Sequence, residues 1–220
     1  MNNEKTFGPG ELLRAPDEIM GFAEGKALDW RLAVFLATAT ATGCALFGFA
    51  VGSFVDLKAA ALDAAKMVGV AAFSFVLCFP TLYVFAAISG SRLTAARLAI
   101  LGLVCTATLG CLLAALSPIL WLFSVSTEKP AFMVVLSCVF AALSLVFAAR
   151  PIMAAAQKGI VANSSGLSAW LVVFAVVALQ AVTLVRPMLA PIGSEREPSG
   201  KCFFLEHFSR SIGVCGHSAK

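Results

Sequence analysis

The longest stretch without a charged side chain is residues 98–127, LAILGLVCTATLGCLLAALSPILWLFSVST, and it decides the fold. An α-helix needs about 20 mostly apolar residues to cross a hydrocarbon core roughly 30 Å thick, and this stretch is longer. Lipid offers no hydrogen bonds to a backbone, whereas a helix satisfies its own. The stretch therefore predicts a transmembrane helix.

Four further charge-free runs surround it, at 32–55, 67–91, 130–149 and 159–185. Each is long enough for one crossing and too short for two. We predict five spans, near 32–54, 67–88, 98–118, 131–149 and 167–186. Short links join antiparallel neighbours, so the predicted fold is an all-α, up-and-down transmembrane bundle.

Two segments flank the predicted bundle. Residues 1–31 read as an N-terminal amphipathic segment, which either lies in the membrane interface or caps the end of the bundle. Six acids in the first thirty residues argue against a cleaved secretory signal, so we expect the first span to act as a signal-anchor. Residues 187–220 form a C-terminal tail.

The composition supports a membrane protein and excludes most other classes. Hydrophobic residues make up 60% and charged residues 13%, and the mean hydropathy is +0.93. A soluble domain has roughly 45–50% apolar residues and about 25% charged residues. The enzyme motifs HExxH, GxSxG, GxGxxG and the P-loop are absent from the sequence, and both histidines lie in the tail. We predict no enzymatic activity, no cofactor and no nucleic-acid partner, since the net charge of +4 is scattered.

Small residues recur every four positions in two of the predicted spans, which favours close helix packing. Two kinds of packing fit this pattern: between spans of one chain, or between two copies of the chain. The residues are Gly48 and Gly52 in the first span, and Gly102, Thr106, Gly110 and Ala114 in the third.

Four residues are predicted to lie at the headgroup level. Trp30, Trp121 and Trp170 fall near span ends, where amphipathic rings are favoured. Arg186 ends the last charge-free run and can snorkel to lipid phosphates. Alternatively, Arg186 recognises an anionic lipid or a partner carboxylate with its planar guanidinium.

Seven cysteines divide into five within the predicted spans and two in the tail. We interpret the five cysteines in the spans as small apolar residues. Cys202 and Cys215 could form a disulfide in an oxidising compartment, or remain free thiols. Their spacing with the two histidines matches no usual zinc pattern.

Orientation is weakly encoded, because Lys and Arg are equally numerous on the two sides of the predicted bundle. Without the tails the N-terminal side has a small excess of Lys and Arg, so we predict a cytoplasmic N-terminus.

Pro80 and Pro118 predict kinks, and the charged segment 56–66 predicts a helical extension with solvated charges. Apart from Arg186, the last residue of the fifth, no charged side chain lies in a predicted span.

These features favour a scaffold or subunit of a membrane assembly, whose partners are lipids and other membrane proteins or a second copy. The alternative is a small-solute channel or transporter without buried charge, which would use polar groups such as Gln180.

A series of short motifs follows this layout: CFPTLYVFAAISGSRL (78–93), LSPILWLF (116–123), QAVTLVRPMLAPIG (180–193) and KCFF (201–204). In them the chain resembles a family of uncharacterised bacterial multi-span membrane proteins, over about residues 60–205. That resemblance implies the bacterial inner membrane and supplies no catalytic residue. In architecture alone, the five-span layout is similar to the Yip family of trafficking proteins.

Overall fold

The computed structural model describes residues 30–88, 94–127, 130–157 and 164–184, and the regular structure in these ranges is helical. The helices are α1 (Trp30–Gly52), α2 (Leu57–Ile88), α3 (Ala95–Ser126), α4 (Pro130–Ala148), α5 (Arg150–Gln157) and α6 (Ser164–Leu184). The all-helical prediction is confirmed for this part of the chain. The segment 1–29, Arg186 and the tail with Cys202 and Cys215 lie outside it.

Helix α3 is the most buried of the long helices and contacts α1, α2, α4 and α5, whereas α1 packs extensively against α2 and α3. Gly43 meets Gly110, and Ser53 meets Ser124, so α1 and α3 run parallel. Gly52 meets Ala60 and Gly48 meets Ala64, so α2 runs antiparallel to α1. Helix α6 packs mainly against α2, and α4 packs mainly against α3.

The helix bounds differ from the predicted spans at two places. Helix α2 begins at Leu57, ten residues before the predicted span, because Asp56 accepts a hydrogen bond from the Leu57 N–H and the alanines that follow favour a helix. Helix α3 continues to Ser126, past the predicted end at 118. Pro118 removes one backbone donor without ending the helix.

Four helices in the described ranges are long and apolar enough to span a membrane: Trp30–Gly52, Leu57–Ile88, Ala95–Ser126 and Phe132–Met153. The last of these joins α4 and α5 across a turn at Ala149. Helix α6 overlaps the fifth predicted span, but its apolar part, Ser168–Val182, is shorter than each of these four helices. The described residues are thus compatible with an integral membrane protein that has four to five spans.

The outer surface of the bundle is apolar. On α4, large exposed side chains recur at helical spacing and form one continuous stripe: Phe132, Val135, Val139, Leu143 and Val146. Exposed apolar side chains also recur on α2 and α6. A soluble protein rarely exposes so much contiguous apolar surface, whereas lipid is a suitable solvent for it.

Candidate functional site

Glycines form the closest contacts between helices. A Cβ atom on Gly43 would overlap the carbonyl group of Gly110, and a Cβ on Gly110 would lie 2.8 Å from the Cα of Thr40. Small residues at these positions therefore let the α1 and α3 backbones touch. The sequence analysis did not predict Gly43 as a packing residue. It lies five residues before Gly48, so it falls outside the four-residue series, into which its neighbour Cys44 fits.

The predicted pair Gly48 and Gly52 lies at the α1–α2 contact. A Cβ on Gly48 would lie 2.6 Å from the Asp63 carbonyl oxygen, and one on Gly52 would lie 2.6 Å from the Ala60 Cα. The contact therefore joins two helices of one chain.

The remaining members of the predicted packing series lie on α3. Gly102 faces the side chains of Leu82 and Phe75 on α2. Thr106 is buried, and its hydroxyl donates to the Gly102 and Leu103 carbonyls of its own helix, each at 3.1 Å. Ala114 is only partly buried.

A buried carboxylate sits beside the α1–α2 contact. The side chain of Asp63 is only 2% exposed, and its Oδ1 accepts a hydrogen bond of 2.7 Å from the Lys66 ammonium. Its Oδ2 has no hydrogen-bond partner among the described residues. The expectation of solvated charges in segment 56–66 is therefore wrong for Asp63, because the early start of α2 turns this residue toward α1.

Most hydroxyl groups in the described spans bond to their own helix. Thr40, Thr108 and Ser117 each donate to the carbonyl four residues earlier, at 2.8–2.9 Å. A hydroxyl used in this way adds no free donor to the interior. Ser53 is an exception, because its hydroxyl also shares a hydrogen bond of 3.2 Å with that of Ser124 on α3. Ser74 and Ser144 are buried and have no hydrogen-bond partner within the described ranges.

Trp170 joins α6 to the part of α2 that contains Pro80. Its ring is 1% exposed, and its Nε1 donates a 2.8 Å hydrogen bond to the Cys78 carbonyl, which also accepts from the Thr81 hydroxyl. Pro80 lies between these two residues and removes one backbone donor from α2. Trp170 therefore does not face lipid headgroups as predicted, because its indole finds its partner inside the bundle. Trp30 is exposed at the start of α1 and Trp121 near the end of α3, and their position at the headgroup level stays a prediction.

A small cleft lies next to Trp170, between α3, α4 and α6. The cleft is partly open and has a volume of about 10 Å³, which is room for one water molecule. Its walls are Cys105, Thr106, Leu109, Leu145, Ala148, Trp170, Leu171 and Phe174. It is apolar and too small for a solute.

Within the described ranges, no group of three or more His, Cys, Asp or Glu side chains could hold a metal ion. The chain matches no protein-family model, no curated protein and no solved structure.

Proposed function

We propose that this chain is a five-span integral membrane protein that acts as a non-enzymatic scaffold or subunit of a membrane assembly. Helix α6 supplies the fifth span, so the two termini lie on opposite sides. The resemblance seen in the sequence suggests a bacterial inner membrane. Lipids and other membrane proteins are the proposed partners.

The observation that carries this proposal is the position of α4. It packs mainly against one neighbour, α3, and its opposite face is the exposed apolar stripe from Phe132 to Val146. Association of helices in lipid depends on close side-chain packing rather than on the hydrophobic effect. A regular face of Val and Leu with no second neighbour in the described bundle offers such packing to another protein.

The packing of α1 to α3 argues in the same direction. Direct backbone contacts at Gly43 and Gly110 leave no space for a solute between α1 and α3. The threonine and serine hydroxyls nearby are mostly bonded to their own helices, so they do not form a hydrated path. The channel alternative requires such a path.

Site-specific photo-crosslinking in the native membrane tests the proposal. A photoreactive residue at Val139, on the α4 stripe, should form a defined adduct with one protein. The matched control is Val172 on α6, which is similarly exposed (63%, against 53% for Val139). Adducts with lipid alone at Val139, or the same protein adducts at both positions, would contradict a specific role for α4. Solute flux through vesicles that hold only this chain would favour the channel instead.

A further inference from the structure

Arg150 lies where an apolar helix ends. The 22-residue apolar stretch Phe132–Met153, which is long enough to cross a hydrocarbon core, ends three residues after it. Its backbone is fixed on both sides, because Ala148 is 2% exposed and Ile152 is 1% exposed. The Arg150 side chain itself is exposed. The fold therefore holds a cation at the depth where arginines reach lipid phosphates.

The guanidinium of Arg150 stacks on an aromatic ring. Its Cζ lies 4.4 Å from the ring centroid of Phe147, about one turn earlier in the chain. Stacking covers one flat face of the guanidinium and leaves the N–H groups in its plane to point outward. The ion pair that the described residues form joins Asp63 to Lys66 and does not involve Arg150. Arg150 thus presents an edge of N–H donors to an oxyanion.

Further cations lie at the same end of the bundle. Arg97 precedes Leu98, which belongs to the same buried cluster as Ile152 of α5. Helices α3 and α5 are in contact, so Arg97 lies on the helix next to Arg150. Arg31, at the start of α1, is also at this end, and all three arginine side chains are exposed. Together they give this end a positive potential that attracts anionic headgroups.

We propose that this end of the bundle binds the headgroup of an anionic phospholipid, and that Arg150 binds its phosphate. One edge of the stacked guanidinium donates two hydrogen bonds to two phosphate oxygens, a bidentate geometry that an ammonium group does not reproduce. Because Arg150 lies at the end of an apolar span, its ligand meets hydrocarbon on one side and water on the other. Such a position fits a lipid and not a free phosphate ion.

Native mass spectrometry of the full chain in detergent micelles tests the site. The chain is titrated with phosphatidylglycerol and, separately, with phosphatidylcholine that has the same acyl chains, and the bound lipids are counted. Both lipids contain a phosphate diester, but only phosphatidylglycerol has a net negative charge. We expect phosphatidylglycerol to bind more tightly. Arg150→Gln should weaken its binding about fivefold, the effect of one cation near an anionic headgroup.

Lys58→Gln is the matched control, because Lys58 is an exposed cation at the start of α2, at the opposite end of the bundle. It should leave the affinity for phosphatidylglycerol unchanged. An equal loss in Lys58→Gln and Arg150→Gln would show a general effect of net charge and would overturn the proposal. Equal affinities of the wild type for the two lipids would overturn it as well.

Two further variants test the stacked geometry. Arg150→Lys keeps the charge and loses the planar fork, whereas Phe147→Leu keeps an apolar side chain and loses the ring. Each should bind phosphatidylglycerol more weakly than the wild type does, and wild-type affinity in either would contradict the geometry.

A competition experiment identifies the source of the phosphate group. Excess inorganic phosphate should leave phosphatidylglycerol bound to the wild type, and its complete displacement would show a site for free phosphate instead. All these measurements use the chain without a partner protein, so their failure would not affect the scaffold proposal.

Discussion

At the scale of single residues, Gly43 and Gly69 provide a matched pair. Both lie inside helices, but a Cβ on Gly43 would overlap the Gly110 carbonyl group, whereas one on Gly69 would meet nothing within 4 Å. Gly43→Ala should therefore force α1 and α3 apart and lower the free energy of unfolding by about 1–3 kcal/mol, which is typical of overpacking. Reversible unfolding in mixed detergent micelles measures this change.

Gly69→Ala is the control for helix propensity. Alanine is favoured over glycine in a helix by up to about 1 kcal/mol, so this variant should be equally or more stable than the wild type. Equal effects of the two substitutions would show that the α1–α3 contact is looser than the structure has it.

At the scale of helices, the bond between Trp170 and Cys78 attaches α6 to α2. Trp170→Phe keeps most of the ring volume and removes the N–H donor, so we expect a loss of about 1 kcal/mol in the free energy of unfolding. Trp170→Ala should cost more, about 3–5 kcal/mol, because it also leaves a cavity next to the existing cleft. The same micelle unfolding assay applies.

Trp121→Phe is the matched control for the indole substitution. Its ring is exposed on α3, so its replacement should leave the unfolding free energy within about 0.5 kcal/mol of the wild type. A Trp170→Phe variant as stable as Trp121→Phe would mean that the indole N–H adds nothing to the attachment of α6.

The five long helices could be predicted from the sequence because each overlaps a charge-free run, whereas the short α5 begins at Arg150, in the link predicted between the fourth and fifth spans. The early start of α2 agrees with the helical extension predicted for segment 56–66, but the burial of Asp63 could not be predicted, since charges next to a span usually indicate solvent. Asp63 is buried only because Gly48 and Gly52 allow α1 to come close, and no local pattern reveals this pairing. The role of Trp170 depends on a carbonyl group 92 residues away. Hydropathy predicts the depth of a tryptophan in the membrane, but it does not predict a hydrogen-bond partner that is distant in the sequence.

At the scale of the whole molecule, the arginines of the described ranges lie at one end of the bundle. Arg31 and Arg97 are near the starts of the parallel helices α1 and α3, and Arg150 follows α4, which ends on the same side. The described residues at this end include no Asp or Glu, whereas the other end has Asp56 and Asp63 as well as two lysines. The positive-inside rule counts only Lys and Arg, which number three at this end and two at the other within the described ranges, so the cytoplasmic N-terminus stays a prediction.

Cysteine accessibility in intact cells tests this orientation together with the number of spans. In a cysteine-free variant, Lys58→Cys, Thr94→Cys and Ser194→Cys are each treated with a membrane-impermeant maleimide. With five spans and a cytoplasmic N-terminus, positions 58 and 194 should label from outside, and position 94 only after the cells are permeabilised. Labelling of 94 alone would reverse the orientation and keep five spans. Labelling of 58 without 194 would contradict the fifth crossing by α6, because an even number of crossings after position 58 returns the chain to the same side and an odd number does not.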